Sequence, residues 1–126
     1  MVDILLDTNA LIWIFEGHKR INSIKDLICS KEATVYVSIV SLWEIMIKIR
    51  KEKLKIDIDQ LSLFMKNHDY LELPLTSTYL NVFKNMPKYH GDPFDHMLLA
   101  QAITCPMRFI TGDPIMAEYS SLVMVI

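Results

Sequence analysis

The chain alternates between short segments rich in apolar, β-branched and aromatic residues and longer segments whose apolar residues recur at helical spacing. The short runs are typical of buried strands and occupy residues 2–6, 34–38, 70–73, 107–111 and 122–126. The segments between them predict helices at 10–16, 21–28, 39–53, 57–67, 76–86 and 92–104, with a helical turn at 113–119. Strands alternating with helices predict an α/β fold, a three-layer sandwich in which a central, mainly parallel sheet is flanked by helices. The 126 residues fit one such domain, over 1–126.

The composition supports a packed domain and excludes some classes of protein. Hydrophobic residues make up 52% of the chain and charged residues 22%, which is too apolar for a disordered chain. The formal net charge is −2, so any nucleic acid must be held by local positive patches or by bound metal. Three glycines in the whole chain leave no room for a Gly-rich phosphate loop.

The cysteines and the length of the apolar runs bear on localisation. Cys29 and Cys105 lie far apart in apolar helical contexts, and we expect both to be buried free thiols in a reducing cytosol. The N-terminus lacks the basic start of a signal peptide, and no apolar run reaches the ~18 residues that a membrane span needs. We therefore expect a cytoplasmic protein that does not enter membranes.

Two aspartates come shortly after predicted strands. Asp7 ends the run at 2–6, and Asp113 follows the run at 107–111. Ligands of parallel α/β sheets bind beyond the carboxyl ends of the strands, so this position favours a functional role. Aspartate is also a preferred N-cap, and Asp113-Pro114 has the form of an N-cap followed by a proline at the first helical position. Taken alone, each aspartate is better explained by helix capping.

Asp95 is harder to explain as a structural residue. It precedes the apolar segment 97–103, and helical geometry puts it on one face with Leu99 and Ala102. A carboxylate on the apolar face of a buried helix is unfavourable unless it is paired, hydrogen-bonded or bound to metal. Asp92 already supplies the N-cap of that helix, which leaves a capping box as the structural alternative for Asp95. We favour the functional role.

Glu44 is the most ambiguous of the candidate acids. On its predicted helix it shares a polar stripe with Lys48, Lys51 and Lys55, while Leu42, Met46 and Ile49 are expected to face the core. An exposed Glu–Lys pair one helical turn apart contributes only about 0.2–0.5 kcal/mol and needs no further function. However, Glu44 lies near the head of a helix that follows a strand, which puts it at the same edge of the sheet as Asp7 and Asp113.

Four carboxylates at one edge of a sheet would repel one another and raise each other's pKa values. A divalent metal resolves this conflict, and carboxylate oxygens are ligands suited to Mg²⁺ or Mn²⁺. The four histidines are scattered and form no zinc-binding set with the cysteines. Such a site could polarise a phosphodiester and generate hydroxide from bound water near neutral pH.

Four segments carry a resemblance when they are taken in order: LLDTNALIW (5–13), SLWEIMIKIRKEKL (41–54), GDPFDHMLLAQA (91–102) and ITGD (110–113). Together they resemble the PIN-domain family and, within it, the VapC-like toxins of toxin–antitoxin pairs. Each motif alone is weak, whereas the four in order, over essentially the whole chain, are specific. The resemblance implies a PIN-like fold and a Mg²⁺- or Mn²⁺-dependent endoribonuclease whose products carry a 5′-phosphate and a 3′-hydroxyl.

The resemblance also implies roles for individual residues and partners. The catalytic and metal-binding acids would be Asp7, Glu44, Asp95 and Asp113. Polar positions that support metal, water or the carboxylates correspond to Thr8, Asn9 and Thr111, and Asp92 corresponds to an outer acid as well as the helix cap. Members of the family usually form homodimers and are held inactive by a cognate antitoxin. Expected partners are therefore RNA, a second copy of the chain and an antitoxin.

Some positions depart from the family's pattern. His96 stands where a basic residue, often arginine, follows the third acid, and histidine is only partly charged at neutral pH. Tyr79 stands where histidine is common, and helix packing explains it at least as well. His90 is either a surface residue or close to the acids. Basic residues that could contact the RNA backbone are Lys19, Arg20, Lys48, Arg50, Lys51, Lys53 and Lys55, although a solvated charged face explains most of them.

Two other functions remain open at this point. A PIN-like module that binds RNA or a partner without cleavage would keep the fold and the acids, and His96 is compatible with it. A receiver-type signalling domain also sets aspartates around Mg²⁺ at strand ends. Such a domain normally needs a lysine after a late strand, and residues 110–113 offer none.

Overall fold

Strands and helices alternate along the chain in the computed structural model, which describes residues 2–89 and 91–126. The strands are β1 (Val2–Leu6), β2 (Ala33–Ser38), β3 (Leu71–Leu73), β4 (Arg108–Thr111) and β5 (Val123–Val125). The helices are α1 (Thr8–Glu16), α2 (Lys25–Cys29), α3 (Ile39–Arg50), α4 (Ile58–Asn67), α5 (Ser77–Asn85) and α6 (Pro93–Thr104), with 3₁₀ helices at Lys19–Ser23 and Pro114–Glu118. His90 lies outside the described residues.

The described strands form one parallel sheet in the order β3-β2-β1-β4-β5. β1 is the central strand, and its residues Ile4, Leu5 and Leu6 are fully buried because both faces of the sheet are covered. From β1 the chain proceeds to β2 and β3 on one side and then crosses to β4 and β5 on the other. The order therefore reverses between β1 and β4, and open α/β sheets bind ligands beyond the carboxyl ends of strands at such a reversal.

The strand order also tests one function that the sequence left open, the receiver-type signalling domain. Receiver-type domains have the flavodoxin-like order 2-1-3-4-5, in which the first and third strands flank the reversal. Here β1 lies between β2 and β4, with Leu6 opposite Ile110, and β3 is at the edge of the sheet. The receiver-type alternative is therefore wrong.

Two apolar cores pack against opposite faces of the sheet, which confirms the predicted three-layer sandwich. On one face, Leu11 of α1, Ile45 of α3 and Leu61 of α4 are fully buried in the first core. On the other face, Leu98 and Leu99 of α6 are fully buried in the second core, together with a residue of α5. The sheet is thus enclosed on both sides, and its carboxyl edge is left for polar residues.

Two predicted helices differ from the structure by more than two residues at a boundary. The segment predicted as one helix at 21–28 is a 3₁₀ helix followed by the short α2, since Ile21-Asn22-Ser23 has weak helix propensity. The helix predicted to reach residue 53 ends at Arg50, because Glu52 adopts the left-handed conformation with φ 57°.

The cysteines and the helix lengths were the basis for the expected localisation, and the structure describes both. Cys29 and Cys105 are both exposed, so the prediction of buried thiols is wrong. Cys29 ends the short α2 and Cys105 is the C-cap of α6, and neither position is covered by a packed helix face. Among the described helices, none is both long and apolar enough to cross a membrane.

Candidate active site

Asp7 and Asp113 occupy neighbouring positions at the carboxyl edge of the sheet because they follow two paired strands, β1 and β4. The backbone N–H of Asp7 donates to the carbonyl of Ile110 at 2.9 Å and extends the pairing to that edge. Both aspartates also cap helices, since Oδ1 of Asp7 accepts from the Ala10 N–H at 2.7 Å and Oδ1 of Asp113 accepts from the Ile115 N–H at 3.1 Å. The capping expected from the sequence is confirmed, and it fixes the direction of each carboxylate at the edge of the sheet.

Asp7 is buried, with 3% of its surface exposed. Burial raises the pKa of its carboxyl group above the usual value, and the nearby carboxylate of Glu44 adds a smaller increase. Hydrogen bonds from the Thr111 side chain and from the backbone of Ala10 and Gly112 act in the opposite direction, because they stabilise the ionised form. Thr111, buried at the end of β4, thus contacts one of the acids that it was expected to support.

Glu44 is buried on α3, with 5% of its surface exposed. The hydroxyl of Thr8 donates to its Oε1 at 2.6 Å, and Nζ of Lys48 lies 2.9 Å from its Oε2. The pair with Lys48 that the sequence suggested therefore exists, although its acidic partner is not on a solvated face. Because Thr8 directly follows Asp7, its hydrogen bond brings Glu44 to the same edge of the sheet as Asp7.

The orientation of α3 differs from the prediction at one apolar residue. Leu42 and Ile49 pack against the core as expected, whereas Met46 is 46% exposed, so its predicted core position is wrong. The buried face of α3 instead includes Glu44 and Ile45. A helix buries residues three or four positions apart, and the polar contacts of Glu44 make its burial possible.

Asp95 lies in the first turn of α6 and is half-buried. Its pKa rises to about 7, mainly because burial disfavours the charge, and further because of the carboxylates of Asp7, Asp92, Glu44 and Asp113. The negative charges of these four acids therefore all raise the pKa of Asp95. The structure brings together Asp7, Glu44, Asp95 and Asp113 from four separate parts of the chain, and we refer to these four residues as the acidic cluster.

The other polar candidates are Asp92, Asn9 and His96, and they differ in exposure and in contacts. Asp92 is the N-cap of α6, as predicted, and accepts from the Phe94 N–H at 2.7 Å. Asn9 is exposed in the first turn of α1. His96, on α6 next to Asp95, is half-buried, and its ring centroid is 5.9 Å from that of Tyr89. The carboxylate of Asp92 also raises the pKa of Asp95 in the cluster.

Tyr79 belongs to the second apolar core, with 7% of its surface exposed. Its hydroxyl lies 3.6 Å from Sγ of Cys105, which follows the far end of α6. These contacts support the packing role that was the alternative for this position.

The donor set of the acidic cluster suits a hard divalent cation. The four residues offer carboxylate oxygens, and a cation would relieve the repulsion that, after burial, contributes to the raised pKa of Asp95. Within residues 2–89 and 91–126, no three His, Cys, Asp or Glu side chains already stand in a direct ligating arrangement. Mg²⁺ is compatible with such spacing, because it usually retains several water ligands and binds protein through one or two carboxylates.

Sequence reasoning missed the contacts that Thr8 makes with α3. Its hydroxyl donates to Glu44 and lies 3.2 Å from the hydroxyl of Ser41. The spacing of Ser41, Glu44 and Lys48, three and four residues apart, already places them on one side of a helix. What the sequence could not show was that this side faces Thr8 on another helix.

Comparisons with known proteins agree with this architecture. The family model described as the PIN domain matches residues 4–122. No curated protein matches the chain in sequence. Among solved structures, a chain of Rickettsia felis VapBC2 bound to a promoter DNA fragment is similar with a TM-score of 0.77 at 15% identity, over 97% of this chain and 96% of that one.

Two further solved structures are similar over nearly their whole length. A chain of a toxin–antitoxin complex from Klebsiella pneumoniae has a TM-score of 0.70 at 16% identity, over 97% of this chain and 96% of that one. A chain of DNA-bound VapBC from Salmonella typhimurium has a TM-score of 0.66 at 18% identity, over 100% of this chain and 98% of that one. At these identities the likeness shows a shared fold.

Proposed function

This chain belongs to the PIN-domain family, and from that premise we propose that it is a Mg²⁺- or Mn²⁺-dependent endoribonuclease, the toxin of a toxin–antitoxin pair. The observation that carries the proposal is the acidic cluster, which four separate parts of the chain form at the carboxyl edge of the sheet, beside the reversal of strand order. The similar solved structures, which come from toxin–antitoxin complexes, support the biological context.

In this proposal Asp7, Asp95 and Asp113 would hold the metal, and Glu44 would bind it or position the attacking water. The ion would supply Lewis acidity toward the phosphodiester and a bound water of lowered pKa. The chain supplies a fixed geometry, because Thr8 and Lys48 hold both oxygens of Glu44. Carboxylates that are oriented in advance need no reorganisation when the reacting groups arrive.

The reaction would be hydrolysis by in-line attack on phosphorus. Water adds to the phosphorus atom and loses a proton, while the bond from phosphorus to the 3′ oxygen breaks and that oxygen takes up a proton. The products then carry a 5′-phosphate and a 3′-hydroxyl. Single-stranded or looped RNA is the favoured substrate class, because unstacked nucleotides can reach a recessed edge of the sheet.

An antitoxin and a second copy of the chain are the proposed protein partners. An antitoxin that covers the acidic cluster would block access of RNA. For the homodimer, support comes from apolar side chains that are 36–56% exposed on α3 and α5, namely Ile39, Trp43, Met46, Leu80 and Phe83. Exposed apolar residues that are grouped on helices mark sites of protein association.

The test is cleavage of a mixed RNA pool by antitoxin-free protein with Mg²⁺ or Mn²⁺, beside EDTA. Asp7→Asn and Asp95→Asn should each lower the cleavage rate by about 100-fold or more, since even outer-shell changes at metal sites cost about 10–100-fold. Asp3→Asn is the matched control, because Asp3 is exposed at the opposite, amino end of β1. It should cleave like the unmodified protein.

Cutting that persists in EDTA, or equally in all three variants, would place the activity outside the acidic cluster and overturn the proposal. Metal binding with no cleavage of any RNA, including RNA extracted from a cell arrested by expression of the protein, would support the binding module instead.

A further inference from the structure

A tryptophan beside the acidic cluster is packed against a glycine. Trp13 lies on α1, and a β-carbon at Gly112 would come within 2.6 Å of Cζ3 of the indole ring. Such a distance is too short for carbon atoms, so only glycine permits this packing. Gly112 directly precedes Asp113, and the indole ring of Trp13 therefore abuts the turn that carries an acid of the cluster.

An arginine lies on this tryptophan. The guanidinium carbon of Arg20 is 4.6 Å from the centroid of the indole ring, which is a cation–π contact. Its Nη1 would lie 3.6 Å from a β-carbon at Gly112, so the charged group is close to the same turn. The backbone also holds the position of Arg20, because its N–H donates to Nδ1 of His18 at 3.1 Å.

The charge of Arg20 is not neutralised within the part of the chain that the structure describes. Across residues 2–89 and 91–126 the only salt bridge joins Lys48 to Glu44. Arg20 is exposed, and its guanidinium carbon lies over the ring of Trp13, a position that leaves N–H groups available to a ligand. A permanently charged group with free donors thus lies next to a cluster of carboxylates without pairing with one of them.

We infer that Arg20, held on Trp13 beside Gly112, binds an RNA phosphate adjacent to the phosphate that is cleaved. This inference rests on the proposed function. A guanidinium presents two parallel N–H donors that match phosphate oxygens, and its orientation on the indole reduces the freedom lost on binding. The carboxylates of the cluster repel an RNA backbone, and a cation at their border offsets that repulsion where the strand approaches.

The first experiment measures binding of a labelled single-stranded RNA to Asp95→Asn protein, in which cleavage does not interfere. Adding Arg20→Gln should weaken binding about 5–10-fold and lower the slope of log K against log salt by about 0.7, the value for one phosphate contact on a single strand. Arg108→Gln is the matched control, since Arg108 is exposed at the amino end of β4 and the change in charge is the same. It should change neither quantity.

The second experiment measures cleavage with Asp95 restored. Arg20→Gln should raise KM about 5–10-fold with kcat changed less than twofold, because the contact is made equally before and during the reaction. Arg20→Lys should recover part of the affinity, since it keeps the charge and loses the planar fork. A lower kcat with an unchanged KM, or full recovery of affinity in Arg20→Lys, would contradict a phosphate contact through the planar guanidinium held on Trp13.

These experiments distinguish a wrong proposed function from a wrong assignment of Arg20. If the unmodified protein neither binds nor cleaves RNA, the proposed function is wrong. If it cleaves RNA while Arg20→Gln and Arg108→Gln behave alike, the nuclease stands and the assignment of Arg20 is wrong. Unfolding midpoints of all variants, measured alongside, separate a lost contact from a misfolded chain.

Discussion

The carboxyl group of Asp95 has a pKa of about 7 in the folded chain, against 3.8 for an ordinary aspartate. Between these two values the folded protein binds more protons than the unfolded protein, so the ionised Asp95 opposes folding. Its destabilising effect is absent below about pH 4, grows as the pH rises through 7 and is complete above that. The same ionised form is the one that can bind a metal.

Asp95→Asn should therefore stabilise the metal-free protein at high pH while abolishing cleavage. The full shift corresponds to about 4 kcal/mol, and partial exposure reduces the expected gain at pH 8 to about 1–2 kcal/mol. The gain should become small near pH 4, where the folded Asp95 is neutral and an unfolded aspartate is only about half ionised. Urea unfolding in EDTA at pH 4, 6 and 8 measures the difference in the free energy of unfolding between the two proteins. A difference that does not change with pH would show that ionisation of Asp95 does not oppose folding.

The hydroxyl of Thr8 donates to the buried carboxylate of Glu44. Thr8→Val keeps the shape of the side chain and removes the donor. It should lower the free energy of unfolding by about 1.5–3 kcal/mol, the range for hydrogen bonds to charged groups. Cleavage should fall by about 10–100-fold, as for other residues that orient metal ligands.

Thr8→Ser is the control for that change, because it keeps the hydroxyl and removes only a methyl group. Its cleavage rate should stay within a few-fold of the unmodified protein. Equal activity of the valine and serine variants would mean that Glu44 does not need this donor.

For single residues, the sequence predicted which acids lie at the edge of the sheet better than it predicted which side chains are buried. Asp7 and Asp113 could be placed from the ends of two strands, because parallel strands end at a common edge. The burial of Glu44 and the exposure of Met46 could not be predicted, since the apolar residues of α3 fit more than one rotation about the helix axis. The choice depends on Thr8 and Lys48, and the pair with Thr8 spans 36 positions.

At the scale of elements, one buried glutamine connects three parts of the fold. Gln101 of α6 is fully buried, and its Oε1 accepts from the hydroxyl of Ser38 at 2.5 Å. Its Nε2 donates to the carbonyl of Pro74, after β3, at 3.2 Å. Ser38 also caps α3 by accepting from the Val40 N–H. The glutamine thus holds α6, which carries Asp95, against the start of α3.

Gln101→Met, which keeps the length of the side chain, should lower the free energy of unfolding by about 1–3 kcal/mol, because the Ser38 hydroxyl loses its acceptor and the Pro74 carbonyl loses its donor. Gln60→Met is the control, since Gln60 is exposed on α4. Chemical unfolding of both variants measures the difference. A loss of the same size at Gln60 would attribute the effect to helix propensity rather than to the buried contacts.

The order and type of the elements followed from the sequence because the strands are short segments rich in apolar and β-branched residues, separated by helices with caps. Asp57 and Asp92, for example, cap the helices that they were expected to begin. The split near Ile24 could not be predicted from periodicity, since apolar residues at 21, 24 and 28 fit an unbroken helix. The backbone of Ile24 interrupts the helix there, with φ −116° and ψ 1°.

For the whole molecule, the repulsion within the acidic cluster predicts that a divalent cation stabilises the fold. At a Mg²⁺ concentration about tenfold above Kd, the gain should be about 1.4 kcal/mol, or about 4–6 °C in Tm for a chain of this size. The gain should be smaller at pH 6 than at pH 8, because a proton on Asp95 competes with the metal. Thermal unfolding with and without Mg²⁺ at both pH values measures it.

Asp7→Asn should remove most of that gain in Tm, and Asp3→Asn should leave it intact. A rise in Tm that is the same in all three proteins would show that Mg²⁺ acts elsewhere on the surface.

The pairing of β1 with β4 also has a consequence for the synthesis of the protein. Leu6 lies opposite Ile110, so the first strand of the sheet cannot gain its second neighbour until the last fifth of the chain has left the ribosome. About 100 residues separate Asp7 from Asp113, which corresponds to about 5–20 s of translation at ~5–20 residues per second. During that interval the nascent chain holds an incomplete set of acids. A chain that terminates before residue 113 therefore lacks an acid of the cluster, and under the proposed function it would not cleave RNA.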